Sequence, residues 1–284
     1  MKGAFRSLLV LIAALSAAAA WAATSAQAVE FEGRDGTRLG GWLMLPPQAP
    51  QGTVVALHGC GGLYARTGRR QGQLNARHQA MGELLVEQGY AVLFPDSFTA
   101  RGVGEVCTQP LGNRPLNQVQ RRHDALAALA WVAAQPWADA RKIAVLGWSH
   151  GGSAVLSATD ATHREVAAEP LRFATAIAFY PGCGAALKSG YRPNTRLAMM
   201  LGADDDWTPP GPCIELAKAV GAELEVYPGA VHDFDNPVGR PMLRTDVPNG
   251  VRPGQGVHVA PDPAARAHSY ARVLELLRQA FAHG

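Results

Sequence analysis

One stretch, residues 142–152, constrains the fold of this chain more than any other. Residues 143–146 are a short, continuous apolar run, which is typical of a strand buried on both faces. The run ends in Gly-Trp-Ser149-His-Gly, which fits the pattern G-x-S-x-G. In that pattern the glycines let a strand and a helix approach closely, and a strained turn exposes the serine hydroxyl. Residues 152–157 have the composition of the short helix that should follow, so the stretch predicts a strand, a sharp turn at Ser149 and a helix.

Strand and helix patterns alternate along the rest of the chain. Further buried strands are predicted at residues 53–58, 91–94, 174–180, 197–201 and 223–227. Further helices are predicted at residues 74–88, 116–134 and 212–220, with a closing helix after Asp262-Pro263. The chain after His232 is predicted to be a loop up to about Pro261, because it is rich in Pro and Gly. This alternation predicts an α/β fold: a mostly parallel central sheet with helices on both faces, and functional loops at the carboxyl ends of the strands.

The first 28 residues have the pattern of a cleaved secretory signal. Lys2 and Arg6 precede an apolar run over residues 8–20, and small residues lead to Ala26-Gln27-Ala28. The alternative, a membrane anchor, is less favoured because the run is short and an A-x-A site follows it. We therefore expect a signal peptide over residues 1–28 and one domain over residues 29–284, located in a periplasm or outside the cell. No stable membrane anchor is expected.

Charge and cysteine content narrow the function further. Removing the signal takes the formal net charge from +3 to about +1, which gives no indication of nucleic-acid binding. The four cysteines lie after the signal, and an even number in an oxidising compartment favours disulfides, for which three pairings are possible. No Cys-x-x-Cys is present, and none of the nine histidines stands three or four residues from another. The spacing therefore predicts no metal site, and no cofactor is expected.

The chain carries partners for Ser149 in the order that an elbow serine requires. A serine becomes nucleophilic when a base takes its proton, and a carboxylate must orient that base. In elbow folds the order is Ser, then Asp or Glu, then His. The aspartates at residues 204–206 follow the strand at 197–201, and His232 follows the last strand. The later histidines lie in the loop, in the closing helix and at the tail, so His232 is the preferred base.

A tetrahedral intermediate also needs preplaced N–H donors for its oxyanion. In this architecture one donor is the N–H of the residue after the nucleophile, which is His150. The other comes from the loop after a neighbouring strand, and here the glycine-rich residues 58–62 follow such a strand. Cys60 is the expected second donor through its backbone N–H, so its side chain stays available for a disulfide.

Four motifs in sequence resemble those of one family. They are His-Gly-Cys-Gly-Gly, Gly-Trp-Ser-His-Gly, Gly-Ala-Asp-Asp-Asp-Trp-Thr-Pro and His-Asp-Phe. Together they resemble the dienelactone hydrolase family of α/β-hydrolases over about residues 29–281. The resemblance implies that Ser149 is the nucleophile, Asp205 the acid and His232 the base, with Asp204 and Asp206 as the alternatives for the acid.

The chain departs from the family pattern at two points. The enzyme that names the family uses a cysteine nucleophile, whereas this chain has Ser149, which brings it nearer to general serine esterases. That enzyme also binds its substrate's carboxylate with two arginines. Arg101 resembles the first, allowing one inserted residue, but the second position falls on Asn236, so dienelactone itself is not the expected substrate. The alternative for Arg101 is a loop ion pair. Phe98 and Trp207 are the other expected substrate-binding residues.

The resemblance also implies a pairing of the cysteines. In this fold the strand ending at His58 lies beside the one ending at Phe94, and the strand ending at Tyr180 lies beside the one ending at Leu201. These neighbours bring Cys60 near Cys107 and Cys183 near Cys213, so two disulfides with that pairing are expected.

The motifs, the family resemblance and the signal together predict an exported serine hydrolase that cleaves a small-molecule carboxylic ester or lactone through an acyl-enzyme. Two alternatives stay open at this point. One is peptide hydrolysis by the same triad, and the other is an inactive hydrolase fold that only binds a ligand or a partner. The sequence carries no signal of the oligomeric state.

Overall fold

The computed structural model describes residues 26–282, which contain ten strands and seven α-helices. The strands are β1 (Ala26–Glu32), β2 (Arg38–Met44), β3 (Thr53–Leu57), β4 (Ala91–Asp96), β5 (Ile143–Trp148), β6 (Ala176–Phe179), β7 (Leu197–Gly202), β8 (Glu223–Tyr227), β9 (Met242–Arg244) and β10 (Val257–Val259). The helices are α1 (Ala76–Glu87), α2 (Gln118–Ala133), α3 (His150–Ala158), α4 (Arg164–Ala167), α5 (Gly184–Ser189), α6 (Gly211–Val220) and α7 (Pro263–Ala282).

Eight strands form one sheet in the order β1-β2-β4-β3-β5-β6-β7-β8. The pairs β1–β2 and β2–β4 are antiparallel, and the other pairs are parallel. The predicted α/β-hydrolase architecture is thereby confirmed. Both strand neighbourhoods that the resemblance implies are present, because β3 pairs with β4 and β6 pairs with β7.

Helices cover both faces of the sheet, and its central strands β3, β5, β6 and β7 are buried at every position and almost entirely apolar. Val55 and Val145 point to one face, where they share a cluster with Leu126 of α2. Their neighbours in sequence point to the opposite face and pack against α1 and α7. Continuous apolar runs, rather than alternating ones, are what a sheet buried on both faces requires.

The parallel strands end at one edge of the sheet, and the loops that leave them there carry the polar residues of interest. His58 follows β3, Ser149 follows β5 and Asp205 follows β7. His232 follows β8 at the same edge. The fold thus gathers residues that lie far apart in the sequence.

Three local features differ from the sequence predictions. Strand β1 begins at Ala26, so three exposed residues of the predicted signal lie in the sheet, and the rest of the signal lies outside the described residues. The predicted loop after His232 contains the two-stranded ribbon β9–β10. Its strands have three residues each, too few to show a periodic pattern among prolines and glycines. Helix α3 begins at His150 rather than at residue 152. No helix within residues 26–282 is long and apolar enough to cross a membrane.

Candidate active site

Ser149 lies at a strained turn between β5 and α3. Its backbone has φ 53° and ψ −114°, a conformation that residues other than glycine rarely adopt. The flanking glycines are required because the turn brings backbones into contact: a Cβ on Gly151 would lie 2.1 Å from the Leu57 carbonyl oxygen. A Cβ on Gly147 would lie 2.4 Å from the Gly151 carbonyl oxygen. The predicted strand, turn and helix are therefore present, with Ser149 at the turn.

A chain of hydrogen bonds connects Ser149 to a buried carboxylate. His232 Nε2 lies 3.0 Å from Ser149 Oγ, and His232 Nδ1 lies 2.7 Å from Asp205 Oδ2. The carboxylate fixes the tautomer, because it accepts a hydrogen bond from Nδ1–H and leaves Nε2 free to accept the serine proton. His232 and Asp205 are buried, with 2% and 3% of their surfaces exposed.

The structure distinguishes among the three candidate aspartates. Asp205 contacts His232, whereas Asp204 is exposed. Asp206 accepts hydrogen bonds from the backbone N–H of His258 (2.8 Å) and from its Nδ1 (2.7 Å), so its carboxylate ties the ribbon region to the loop after β7. The aspartate beside the candidate base is therefore Asp205.

Thr208, which the sequence reasoning missed, completes the hydrogen bonding around this pair. Its Oγ1 lies 3.0 Å from Asp205 Oδ2, 3.1 Å from His232 Nδ1 and 3.0 Å from the Tyr180 carbonyl oxygen. Asp205 Oδ1 accepts the backbone N–H groups of Trp207 and Thr208, both at 2.8 Å. An aspartate side chain commonly accepts hydrogen bonds from the backbone N–H groups two and three residues later in a turn. The sequence Asp-Asp-Trp-Thr at residues 205–208 fits this pattern, so the turn could have been predicted.

A buried carboxylate also anchors the loop that carries His232. Asp235 is fully buried and accepts hydrogen bonds from Trp148 Nε1 at 2.8 Å and from the Tyr180 hydroxyl. Arg77 Nε pairs with the same carboxylate at 3.2 Å. These partners come from three distant segments of the chain, so no local sequence pattern marks Asp235 as their common acceptor.

The two expected oxyanion donors lie beside Ser149. A Cβ on Gly59 would lie 3.8 Å from Ser149 Cβ, which places the loop at residues 58–62 against the serine. Cys60 N–H has no hydrogen-bond acceptor within the described part of the chain. His150 is the first residue of α3, where backbone N–H groups have no acceptor in their own helix.

A buried guanidinium lies beneath the loop that carries Cys60. Arg121 Nη2 donates to the His58 carbonyl oxygen at 2.7 Å, and the side chain has no exposed surface. Burial lowers the pKa of Arg121 to about 10, although Asp124 and Asp96 partly oppose that shift. Burial and the Arg121 charge both hold the pKa of His58 well below its usual value, so His58 is neutral.

The structure contains both disulfides that the resemblance implies. Cys60 is bonded to Cys107 and Cys183 to Cys213, each pair with a Cα–Cα distance of 5.0 Å. The Val106 N–H also donates to the Cys60 carbonyl oxygen at 2.9 Å. The covalent bond and this hydrogen bond hold the loop after β3 to the loop after β4.

Two cavities reach Ser149. The first has a volume of about 440 Å³ and borders Cys60 and His150. The second has a volume of about 610 Å³ and borders Cys60 and His232. Trp207 lines both cavities, and its ring centroid lies 4.7 Å from that of His232, so its side chain lies beside the candidate base.

Phe98 is not at a cavity surface, contrary to the sequence expectation. It is 1% exposed and packs edge-on against the His58 ring, with a centroid distance of 4.5 Å. It therefore supports the loop at residues 58–62 from below. Sequence position placed it at the correct edge of the sheet but could not give the direction of its side chain.

Arg101 is also not beside either cavity, and the ion-pair alternative is the observed one. Its guanidinium forms two hydrogen bonds with Asp124, at 2.8 and 2.9 Å, and one with Asp35 at 2.8 Å. A further bond goes to the Ser97 carbonyl oxygen at 2.8 Å. Asn236, at the second arginine position, does line the second cavity. The arginine pair of the family's name-giving enzyme is therefore not reproduced.

Within residues 26–282, no group of three or more His, Cys, Asp or Glu side chains could hold a metal ion. The side chains of Ser149, His232 and Asp205 instead form a continuous chain of hydrogen bonds, along which a proton can be taken from the serine hydroxyl.

Comparisons with known proteins give the fold and the family. The chain is similar in structure to a dienelactone hydrolase-like promiscuous phosphotriesterase from metagenomic libraries, with 22% identity, a TM-score of 0.61, and coverage of 89% of this chain and 98% of the other. It is similar to esterase 2 of Thermogutta terrifontis, with 17% identity, a TM-score of 0.60 and coverage of 89% and 94%. An esterase of Pyrococcus furiosus matches with 19% identity, a TM-score of 0.54 and coverage of 74% and 85%.

At these identities the structural likeness shows the shared fold. No curated protein matches the chain. A family model described as the dienelactone hydrolase family matches residues 39–281, which is most of the chain. The protein is accordingly a hydrolase that acts on esters, and it belongs to the dienelactone hydrolase family.

Proposed function

We propose that this protein is an exported serine hydrolase that cleaves a carboxylic ester or lactone through an acyl-enzyme. The observation that carries the proposal is the chain of hydrogen bonds from Ser149 Oγ through His232 to Asp205, at 3.0 and 2.7 Å. A serine at a strained elbow, a base with a fixed tautomer and a buried carboxylate are the parts that nucleophilic acyl transfer requires.

In the proposed mechanism, Ser149 Oγ attacks the ester carbonyl carbon while His232 Nε2 takes the hydroxyl proton. The negative charge that develops on the carbonyl oxygen is stabilised by the N–H groups of Cys60 and His150. His232 then gives its proton to the leaving alcohol, and the acyl group stays on Ser149. Water, activated by His232 in the same way, releases the acid and restores the serine. Asp205 keeps the imidazole in its orientation throughout.

The cellular setting is part of the same proposal. Residues 1–28 act as a signal peptide, and residues 29–284 form one hydrolase domain that acts in a periplasm or outside the cell. Two buried disulfides support an oxidising compartment, since such bonds are rare in reducing ones. The substrate is a small-molecule ester or lactone. The reaction needs no cofactor, because every proton transfer is assigned to a side chain of this chain.

Substitution of Ser149 tests the proposal directly. Ser149→Ala removes the attacking oxygen, so kcat for small activated esters should fall by at least about 10⁴-fold with no loss of thermal stability. The matched control is Ser157→Ala in the same helix, since Ser157 Oγ bonds to Gln118 and Arg122 rather than to His232. Steady-state rates and melting temperatures of the three proteins give the comparison. Turnover of Ser149→Ala within tenfold of the wild type would refute the proposal.

A further inference from the structure

The first cavity beside Ser149 contains a single charged side chain. Among the described residues that line it, Arg114 is the only Lys, Arg, Asp or Glu. The remaining wall consists of polar uncharged residues and of apolar ones such as Leu111, Trp207 and Pro212. A lone cation in a partly apolar wall creates a strong preference for the charge of whatever enters.

Arg114 also has no counter-ion among the residues that the structure describes. Its Nε donates to the Gln109 carbonyl oxygen over a long distance of 3.4 Å, and within residues 26–282 no carboxylate lies within 4 Å of its guanidinium. Burial lowers the pKa of Arg114, and the attraction of the more distant Glu105 only partly opposes this. By contrast, Arg101 and Arg122 each pair with a carboxylate. Arg114 is thus a half-buried cation that stays charged and keeps donors for a ligand.

Arg114 lines the same cavity as Ser149 and His150. Burial lowers the pKa of His150 well below its usual value, and the charges of Arg121 and Arg114 contribute to this. His150 directly follows Ser149. Asn117 lines the same cavity, and its Oδ1 accepts from the Val119 N–H at the start of α2. The Asn117 side-chain NH₂ is therefore the group that remains to donate to a ligand beside Arg114.

The positions of the two cavities indicate which part of an ester meets Arg114. His232 must give a proton to the leaving alcohol, so the alcohol has to lie on the His232 side of Ser149. His232 lines the second cavity and not the first. The first cavity borders Ser149 and both expected oxyanion donors. The acyl part of the substrate is consequently the part that extends into the first cavity.

We infer that Arg114 forms an acyl-side anion subsite, and that the preferred substrates are half-esters of dicarboxylic acids, whose free carboxylate pairs with Arg114. The inference rests on the proposed function, since it names the substrate class of the same site. It does not depend on Arg101 or Asn236, which lie elsewhere. The reaction steps are those of the proposed mechanism. The ester bond breaks, the alcohol leaves with the proton from His232, and water then releases the dicarboxylic acid from Ser149.

Matched ester pairs test this inference. The probes are monoethyl esters of four- to eight-carbon dicarboxylic acids and ethyl esters of the monocarboxylic acids of equal chain length, with ethanol release as the assay. A charge-assisted hydrogen bond is worth roughly 1.5–3 kcal/mol, and each 1.4 kcal/mol is tenfold, so at the best chain length the half-ester should have kcat/KM about 10- to 100-fold higher. Added salt should reduce the preference.

Three variants locate the effect. Arg114→Gln should bring the ratio between the two series to within about twofold, whereas Arg114→Lys should keep part of the preference because it keeps the charge. Arg69→Gln is the matched control, since exposed Arg69 lines the second cavity and its loss removes the same charge. That variant should keep the wild-type ratio. Melting temperatures show that each variant is folded.

The outcomes separate this inference from the proposed function. Equal rates for both series in the wild type, or an unchanged ratio in folded Arg114→Gln, would overturn the anion subsite and leave the serine hydrolase in place. Absence of turnover for both series, together with no effect of Ser149→Ala on any ester, would overturn the proposed function and the subsite with it.

Discussion

At the scale of single residues, backbone strain is concentrated around the candidate site. Within residues 26–282, three residues other than glycine have positive φ angles: Ser149 at 53°, Tyr180 at 36° and Asp233 at 71°. Each lies next to a group of the site, since Tyr180 follows β6 and Asp233 follows His232. Such conformations cost about 1–3 kcal/mol each and persist only when the surrounding packing holds them. Asp235, which binds Trp148 and Tyr180, is part of that packing.

The buried guanidinium of Arg121 gives a residue-scale prediction in which activity and stability diverge. Arg121 holds the His58 carbonyl oxygen two residues before Cys60, yet it has no carboxylate within 4 Å in the described chain. Arg121→Met should lower kcat about tenfold or more, because the Cys60 N–H loses its fixed position. The free energy of unfolding should change by less than about 1 kcal/mol or rise, because an unpaired buried charge is removed.

The neighbouring arginine is the control for that prediction. Arg122 pairs with Glu165 and donates to Ser157, away from the loop at residues 58–62. Arg122→Met should lower stability and leave kcat near the wild-type value. Ester kinetics and urea unfolding of both variants provide the comparison. A kcat for Arg121→Met equal to that of the wild type would contradict the role assigned to Arg121.

At the scale of elements, the sequence was most informative where a single strong pattern decides the structure. The apolar runs that became β3, β5 and β7 were predictable because a strand covered on both faces has to be apolar throughout. The short ribbon β9–β10 was not, because its three-residue strands are stabilised by pairing with each other and by contacts such as that of Asp206 with His258. Such contacts join distant parts of the chain.

The candidate site also contains residues that a sequence pattern predicts and residues whose positions depend on long-range contacts. Ser149, His232 and an aspartate among residues 204–206 were predictable because elbow folds impose their order in the chain and their positions at strand ends. The choice of Asp205 among the three came from the family resemblance. Arg101 was not, because its partners Asp124 and Asp35 lie 23 and 66 residues away and no local pattern reveals them. Local patterns therefore locate a residue at the correct edge of the sheet, while long-range contacts decide whether its side chain faces the site.

At the scale of the whole molecule, three buried histidines predict sensitivity to mild acid. His58, His78 and His150 are 0%, 0% and 6% exposed. Burial, together with nearby arginine charges, lowers the pKa of His78 to about 3 and those of His58 and His150 well below 6.5. The folded protein therefore keeps them neutral at a pH where the unfolded chain binds protons.

The sign of the effect follows from that difference in bound protons. The free energy of unfolding is highest above pH 6.5 and decreases as the pH falls below that value. The slope is up to about 1.4 kcal/mol per pH unit for each histidine, or roughly 4 kcal/mol per pH unit for the three together. Urea unfolding at pH 7.5, 6.5 and 5.5 measures it. His78→Gln should reduce the slope by about a third, whereas His123→Gln, at a partly exposed position, should not. Constant stability between pH 7.5 and 5.5 would contradict this account.

In the proposed mechanism, Ser149 is an activated nucleophile whose base is His232. The most direct measurement is labelling of the folded protein with a fluorophosphonate probe, followed by mass spectrometry to locate the adduct. We expect one adduct on Ser149 and none in folded His232→Ala, because the serine hydroxyl then has no group to take its proton. An adduct at another residue, or unchanged labelling of Ser149 in His232→Ala, would contradict it.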